Sequence, residues 1–93
     1  MVSVFVNATS LLEITKTRQL MIEGDTAAEV LKNIEKQFIG FIDRLLTEDG
    51  KFKNHLMLVG VYKDEALNQI ITSPNDDKRN LTELKILTIS CGG

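Results

Sequence analysis

The strongest candidates for a chemical role are the last three residues, Cys91, Gly92 and Gly93. Two glycines without Cβ atoms make a thin, unbranched segment that can be threaded into a narrow channel. We therefore expect the carboxylate of Gly93 to be the reactive group, with Gly92 giving the tail its flexibility. The alternative is a frayed end that carries two glycines without a function.

Cys91 has two interpretations. It is either a spacer in the tail or a thiol that contacts a partner, through a mixed disulfide or a sulfur relay. No Lys, Arg or His lies within five residues of Cys91, so no sequence neighbour stabilises a thiolate there. Because a single cysteine cannot form an intramolecular disulfide, the sequence also favours a reducing, cytoplasmic location.

The remaining ionisable residues show no pattern of an active site. His55, the only histidine, is expected to be a structural residue at the start of a strand. One His and one Cys far apart in sequence do not suggest a zinc site, so no metal is expected. Six carboxylates lie near turns, where they usually cap or face solvent: Asp25, Glu48, Asp49, Asp64, Asp76 and Asp77. None of them forms an acid–base motif, and we do not expect an enzyme.

Length and composition favour one soluble domain. The 93 residues are 43% hydrophobic and 26% charged, which leaves room for a single core. A net charge of -2, no Trp and one Tyr argue against nucleic acid as a partner. The sequence shows no signal-peptide pattern. It also has no apolar stretch of about 20 residues, the length needed to cross a membrane. We expect a folded domain over residues 1–89 and a flexible tail over residues 90–93.

The tail must be positioned by the elements before it. Alternation at the start of the chain predicts a strand, with Val2, Val4 and Val6 on one face and Phe5 on the other. Further strands are predicted at residues 18–23, 55–62, 67–71 and 84–89. The face of Phe5 is expected to be shared with Met57 or Val59. That face is either an exposed docking surface for a partner or is covered by residues 41–46.

One amphipathic helix is predicted after Gly24. Thr26 and Glu29 have the spacing of a capping box, and the helix is expected to end at Gly40. Its apolar stripe contains Ala27, Val30, Leu31, Ile34 and Phe38. Residues 7–10 read as a turn, residues 11–17 are ambiguous, and residues 41–46 read as a short turn or strand. The element order predicts an α+β domain, with a mixed five-stranded sheet and one main helix on one face.

In this order of elements the chain resembles the β-grasp sulfur-carrier family, which are bacterial and archaeal relatives of ubiquitin. The family includes the small subunit of molybdopterin synthase and the thiamine sulfur carrier. Three stretches carry the resemblance: the opening strand and hairpin, the helix start over residues 24–31, and the Glu48-Asp49-Gly50 turn combined with a Gly92-Gly93 end. By analogy with this fold, the first and last strands lie side by side in the middle of the sheet and run parallel.

The resemblance implies a carrier protein that is a cosubstrate. An E1-like adenylyltransferase would use ATP to adenylylate the Gly93 carboxylate, and a sulfur donor would convert it to a thiocarboxylate. The sulfur would pass to an acceptor enzyme, such as a large synthase subunit, in the biosynthesis of molybdopterin or a related compound. No cofactor would be bound permanently. A ubiquitin-like modifier joined to lysines through Gly93, and a non-catalytic subunit or binding module, are the alternatives.

Overall fold

The computed structural model describes residues 1–89. The elements are β1 (Val2–Asn7), α1 (Thr9–Thr15), β2 (Gln19–Ile22), α2 (Ala27–Gln37), α3 (Phe41–Leu45), β3 (Leu56–Tyr62), β4 (Gln69–Ile71) and β5 (Leu81–Thr88). The strands form one sheet in the order β2-β1-β5-β3-β4. β1 and β5 are parallel and the other neighbouring pairs are antiparallel. The predicted α+β fold, a mixed five-stranded sheet with a helix on one face, is confirmed.

The valines of β1 lie at the centre of the core. Val4 is fully buried and is paired with Leu20 on one side and Leu84 on the other. Because strand side chains alternate between faces, this register directs the apolar set of three strands toward the helices. β5 begins at Leu81, earlier than predicted, and its ladder with β3 contains a bulge between Val61 and Tyr62.

α2 is the amphipathic helix that the sequence predicts. The Thr26 hydroxyl oxygen accepts the Glu29 N–H at 3.2 Å, which is the expected N-cap bond. The same hydroxyl donates to the Glu29 carboxylate at 3.3 Å, so the second bond joins two side chains rather than closing a full capping box. Four residues of the stripe are buried and Phe38 is partly buried. The helix therefore packs on the sheet through the face that its periodicity indicated.

Two short helices differ from the prediction. α1 occupies part of the predicted turn at 7–10 and most of the ambiguous segment after it, so the prediction of a turn there was wrong. α3 occupies the segment at 41–46, and the prediction of a turn or strand there was also wrong. Helices of seven and five residues are too short to show a periodic pattern, and tertiary packing stabilises them. Leu11, Phe41 and Leu45 are fully buried, so both helices extend the core.

Gly40 begins α3 rather than ending α2, which stops at Gln37. Its φ of 99° lies in the left-handed region that favours glycine. Both carboxylate oxygens of Glu35 accept backbone N–H groups beyond it, from Gly40 at 2.9 Å and from Ile42 at 2.8 Å. These two bonds stabilise the ionised carboxylate and hold the pKa of Glu35 below its usual value of 4.5.

Glu35→Gln is expected to lower the free energy of unfolding at neutral pH by about 1 kcal/mol, because a neutral amide oxygen accepts these N–H groups less strongly. Since the folded pKa of Glu35 is depressed, its contribution is present above pH 4.5 and is lost as the pH falls through the folded value. Urea unfolding of wild type and variant at neutral pH and about pH 3 checks this. An equal difference at both pH values would contradict it.

Candidate functional site

The helices cover one face of the sheet, and the other face carries partly exposed side chains on every strand. We call this second surface the open face. It is formed by Ser3, Phe5, Met21, Met57, Val59, Val61, Ile70, Glu83, Lys85 and Leu87. Met21 is 51% exposed and Ile70 is 63% exposed. Exposed apolar side chains that are grouped on one surface are a common feature of interaction sites.

The register places four open-face residues in one row across the sheet. Phe5 is paired with Lys85, Lys85 with Val59, and Val59 with Ile70. Lys85 thus lies between two apolar neighbours at the centre of the face. Within residues 1–89 it makes no ion pair. The open face therefore combines apolar area with one central cation.

Phe5, Met57 and Val59 share this face, as their positions in the strands predicted. The alternative, that residues 41–46 cover the face, is wrong, because Phe41 and Leu45 are buried in the core on the helix side. A role for the three residues in binding a partner stays a prediction.

The end of β5 is held by both neighbouring strands. Leu87 is paired with Met57 on the open face, and the Thr88 hydroxyl donates to the Asn7 carbonyl at 3.3 Å. The Ile89 N–H donates to the His55 carbonyl at 2.8 Å. Ile89, which we call the root of the tail, is therefore fixed at the end of the two central strands. The predicted site residues Cys91, Gly92 and Gly93 lie outside the described residues.

Sequence reasoning missed most of the open-face residues, among them Lys85, Leu87 and Ile70. The signal in β5 was available, because buried Leu84 and Ile86 alternate with Lys85 and Leu87. The register that brings Lys85 beside Phe5 depends on the parallel β1–β5 pairing. Ile70 belongs to a three-residue edge strand, which is too short for alternation to show its direction.

The polar clusters elsewhere in the described chain are structural. Asp25, one of the carboxylates near turns, accepts the Arg79 Nε–H at 2.9 Å and the Asn80 N–H at 3.2 Å. Burial, followed by the nearby carboxylates of Asp76 and Glu65, raises the pKa of Tyr62. The two bonds of Asp25 fasten Arg79 and Asn80, at the end of the loop over residues 73–80, to the segment before α2.

His55 is exposed at the start of β3, and its carbonyl is the group that holds Ile89. Across residues 1–89, no group of three His, Cys, Asp or Glu side chains is arranged to hold a metal ion. None of the helices in that range has the length and apolarity needed to cross a membrane.

Comparison with known proteins identifies the fold through structure rather than sequence. No family model matches the sequence, and no curated protein matches it. SAMP1 from Haloferax volcanii, a small archaeal modifier protein, superposes with a TM-score of 0.61 at 18% identity, over 99% of this chain and 98% of that chain.

Two bacterial structures are equally similar. CysO of Mycobacterium tuberculosis gives a TM-score of 0.64 at 19% identity, over 94% of this chain and 99% of that chain. A chain of the Amycolatopsis orientalis BexX/CysO complex gives 0.60 at 22% identity, over 97% of this chain and 99% of that chain. The near-complete coverage in both directions confirms the ubiquitin-like β-grasp fold that the resemblance implied.

Proposed function

We propose that this β-grasp protein is a carrier or modifier of the ubiquitin-like kind, whose working group is the carboxylate of Gly93. The observation that carries the proposal is the fixed root of the tail: β5 leads directly to Ile89, which is bonded to His55 at 2.8 Å. The four remaining residues include the glycine pair. Gly93 must then be the last residue of the mature protein, which its intact mass tests.

The chemistry of the proposal is carried by enzymes that act on the tail. A free carboxylate is a poor electrophile, so an E1-like adenylyltransferase joins Gly93 to AMP and releases pyrophosphate from ATP. Sulfide then attacks the carbonyl carbon, the C–O bond to AMP breaks, and a thiocarboxylate forms. The chain itself holds no cofactor in this scheme. Glycine at positions 92 and 93 keeps the carbonyl unhindered, and Cys91 contacts the partner that receives the tail.

The sulfur acceptor is proposed to be a biosynthetic enzyme, for example the large subunit of a synthase that makes molybdopterin or a related compound. The sequence resemblance supports this assignment, and the single cysteine supports a cytoplasmic location. A second candidate is a protein modifier, which the likeness to a small archaeal modifier protein favours. The likeness to a chain of the BexX/CysO complex supports a protein partner for a chain of this fold.

The decisive experiment incubates the purified protein with an activating enzyme from its own source, ATP and sulfide. Intact-mass spectrometry is expected to show the exchange of one oxygen for one sulfur at the C-terminus. If no such exchange occurs while ATP is cleaved, the sulfur-carrier role is contradicted. Peptides that join Gly93 to lysines of other proteins in extracts of the source cells would then identify a modifier.

The open face is proposed to dock the activating enzyme. Phe5→Glu replaces an apolar side chain of the open face with a carboxylate beside Lys85, so the affinity for the enzyme is expected to fall at least about tenfold. Titration of both proteins by calorimetry measures this. Phe5 is partly exposed and lies outside the buried core, so the variant is expected to keep its fold.

Ile39→Glu is the matched control, because Ile39 is 86% exposed and lies between α2 and α3 on the helix side of the sheet. It introduces the same charge at another exposed apolar position. Equal affinities for the two variants would contradict docking through the open face and leave the chemistry of the tail unaffected.

A further inference from the structure

A groove of about 550 Å³ lies in the helix layer, on the side of the sheet opposite the open face. Its apolar walls come from Leu31 of α2, from Ile42 and Leu46 at α3, and from Pro74 in the loop before β5. Lys32 and Lys36 also line the groove from α2. The groove therefore has an apolar interior beside two cationic side chains.

Both walls of the groove are fastened to α2. The Glu35 carboxylate accepts two N–H groups at the start of α3, from Gly40 and Ile42. On the other side, the Ala28 N–H donates to the Asp76 carbonyl at 3.1 Å, which holds the loop containing Pro74. The groove is thus formed before any ligand arrives, and a preformed site spares a ligand the cost of ordering it.

The charges of the lining favour an anion. Lys32 and Lys36 are exposed one helical turn apart and take part in no ion pair within the described part of the chain. Glu35 is the only carboxylate in the lining, and both of its oxygens already accept backbone N–H groups. The lysine ammonium groups are therefore the charges left for a ligand to pair with.

The size of the groove favours a small molecule over a protein. Its lining follows α2 from Ala28 to Lys36, a distance of about 12 Å at 1.5 Å per residue. Small-molecule sites usually enclose roughly 300–1,000 Å³. A stable protein interface needs about 800 Å² from each partner, which a groove this short does not supply.

From this geometry we infer that the groove binds a small amphiphile, with an alkyl or aryl body between α2 and α3 and one carboxylate beside Lys32 and Lys36. The site uses neither the tail nor the open face. It is therefore independent of the proposed chemistry at Gly93, and each proposal can fail without the other.

Titration of the full chain with octanoate, followed by amide NMR shifts, tests the inference. The binding of octanoate is expected to be saturable and to shift the amide resonances of α2, α3 and the Pro74 loop. Octylammonium, with the same chain length and the opposite charge, is expected to bind at least about tenfold more weakly. Acetate, which has the head without the chain, is expected to cause no saturable shift.

Two sets of variants separate the charge from the apolar cavity. In the double variant Lys32→Glu/Lys36→Glu, octanoate binding is expected to weaken at least about tenfold and octylammonium is expected to be favoured. The double variant Lys32→Gln/Lys36→Gln removes the two positive charges without reversing them. Lys16→Glu/Lys63→Glu changes the net charge equally at exposed positions outside the lining and is expected to bind octanoate normally. Ala28→Phe fills the groove with both lysines intact and is expected to prevent binding.

Equal binding of octanoate and octylammonium, absence of saturable binding, or shifts confined to the open face would each overturn the inference. Equal loss of octanoate affinity in the Lys16/Lys63 control would do the same, because it would assign the effect to net charge alone. Thermal unfolding of every variant confirms that a loss of binding is measured on folded protein.

Discussion

Adding one alanine after Gly93 is expected to abolish activation of the protein by the proposed E1-like enzyme. The extra residue moves the terminal carboxylate by about 3.5 Å and replaces the glycine carbonyl with a hindered one. Because a displacement of about 1 Å can cost a hundredfold in rate, the loss is expected to be at least about 100-fold. The measurement is pyrophosphate release from ATP, with wild-type and extended proteins at equal concentration.

The matched control adds the alanine before Met1, whose side chain is exposed at the other end of the chain. This variant has the same composition as the extended protein and is expected to be activated normally. The extended protein is also expected to bind the enzyme through the open face. Full activation of the extended protein would contradict a reactive carboxylate and favour the third interpretation, a binding module whose tail only inserts into a partner.

Phe41→Ala is expected to be the most destabilising single truncation among the apolar residues of α3. Phe41 is fully buried between the helices and the sheet, so alanine leaves a cavity in the core. Phenylalanine truncations at such sites cost about 3–5 kcal/mol, a large part of the roughly 5–15 kcal/mol that stabilises a domain. The Tm is expected to fall by about 15 °C or more, and urea unfolding gives the free energy.

Ile39→Ala supplies the comparison within the same segment. Ile39 is two positions earlier and 86% exposed, so its truncation is expected to change the free energy of unfolding by less than about 0.5 kcal/mol. If residues 41–46 were a surface turn or an edge strand, the two variants would have similar stabilities. A small effect of Phe41→Ala would therefore contradict the position of α3 in the core.

The sequence predicted the elements that have a clear period. The valine alternation of β1 and the capped apolar stripe of α2 indicated both the type of element and its buried face, because each pattern repeats enough times to be read locally. The same alternation placed Phe5 with Met57 and Val59. It could not place Lys85 beside Phe5, since that contact depends on residues about eighty positions apart becoming neighbours in a parallel pair.

The short helices could not be predicted for a related reason. α1 and α3 complete only one or two turns, so neither is stable without the core that covers it. Gly40 illustrates the difference: its type indicated a helix boundary, whereas only the contacts of Glu35 show that the boundary belongs to α3. The groove depends on those same contacts of Glu35 and on the loop that the Ala28 N–H holds, and no local sequence pattern predicts it.

By itself the sequence determined the class of fold, the main helix, the buried face of the first strand and the glycine pair as the group to test. Those features are set by neighbours within a few residues, where steric preference and apolar periodicity act. Only in the folded protein does it emerge that the second face of the sheet is open, that Ile89 is fixed where the tail begins, and that Lys32 and Lys36 border a groove in the helix layer. These depend on long-range register and packing, in which side chains distant in sequence are buried together.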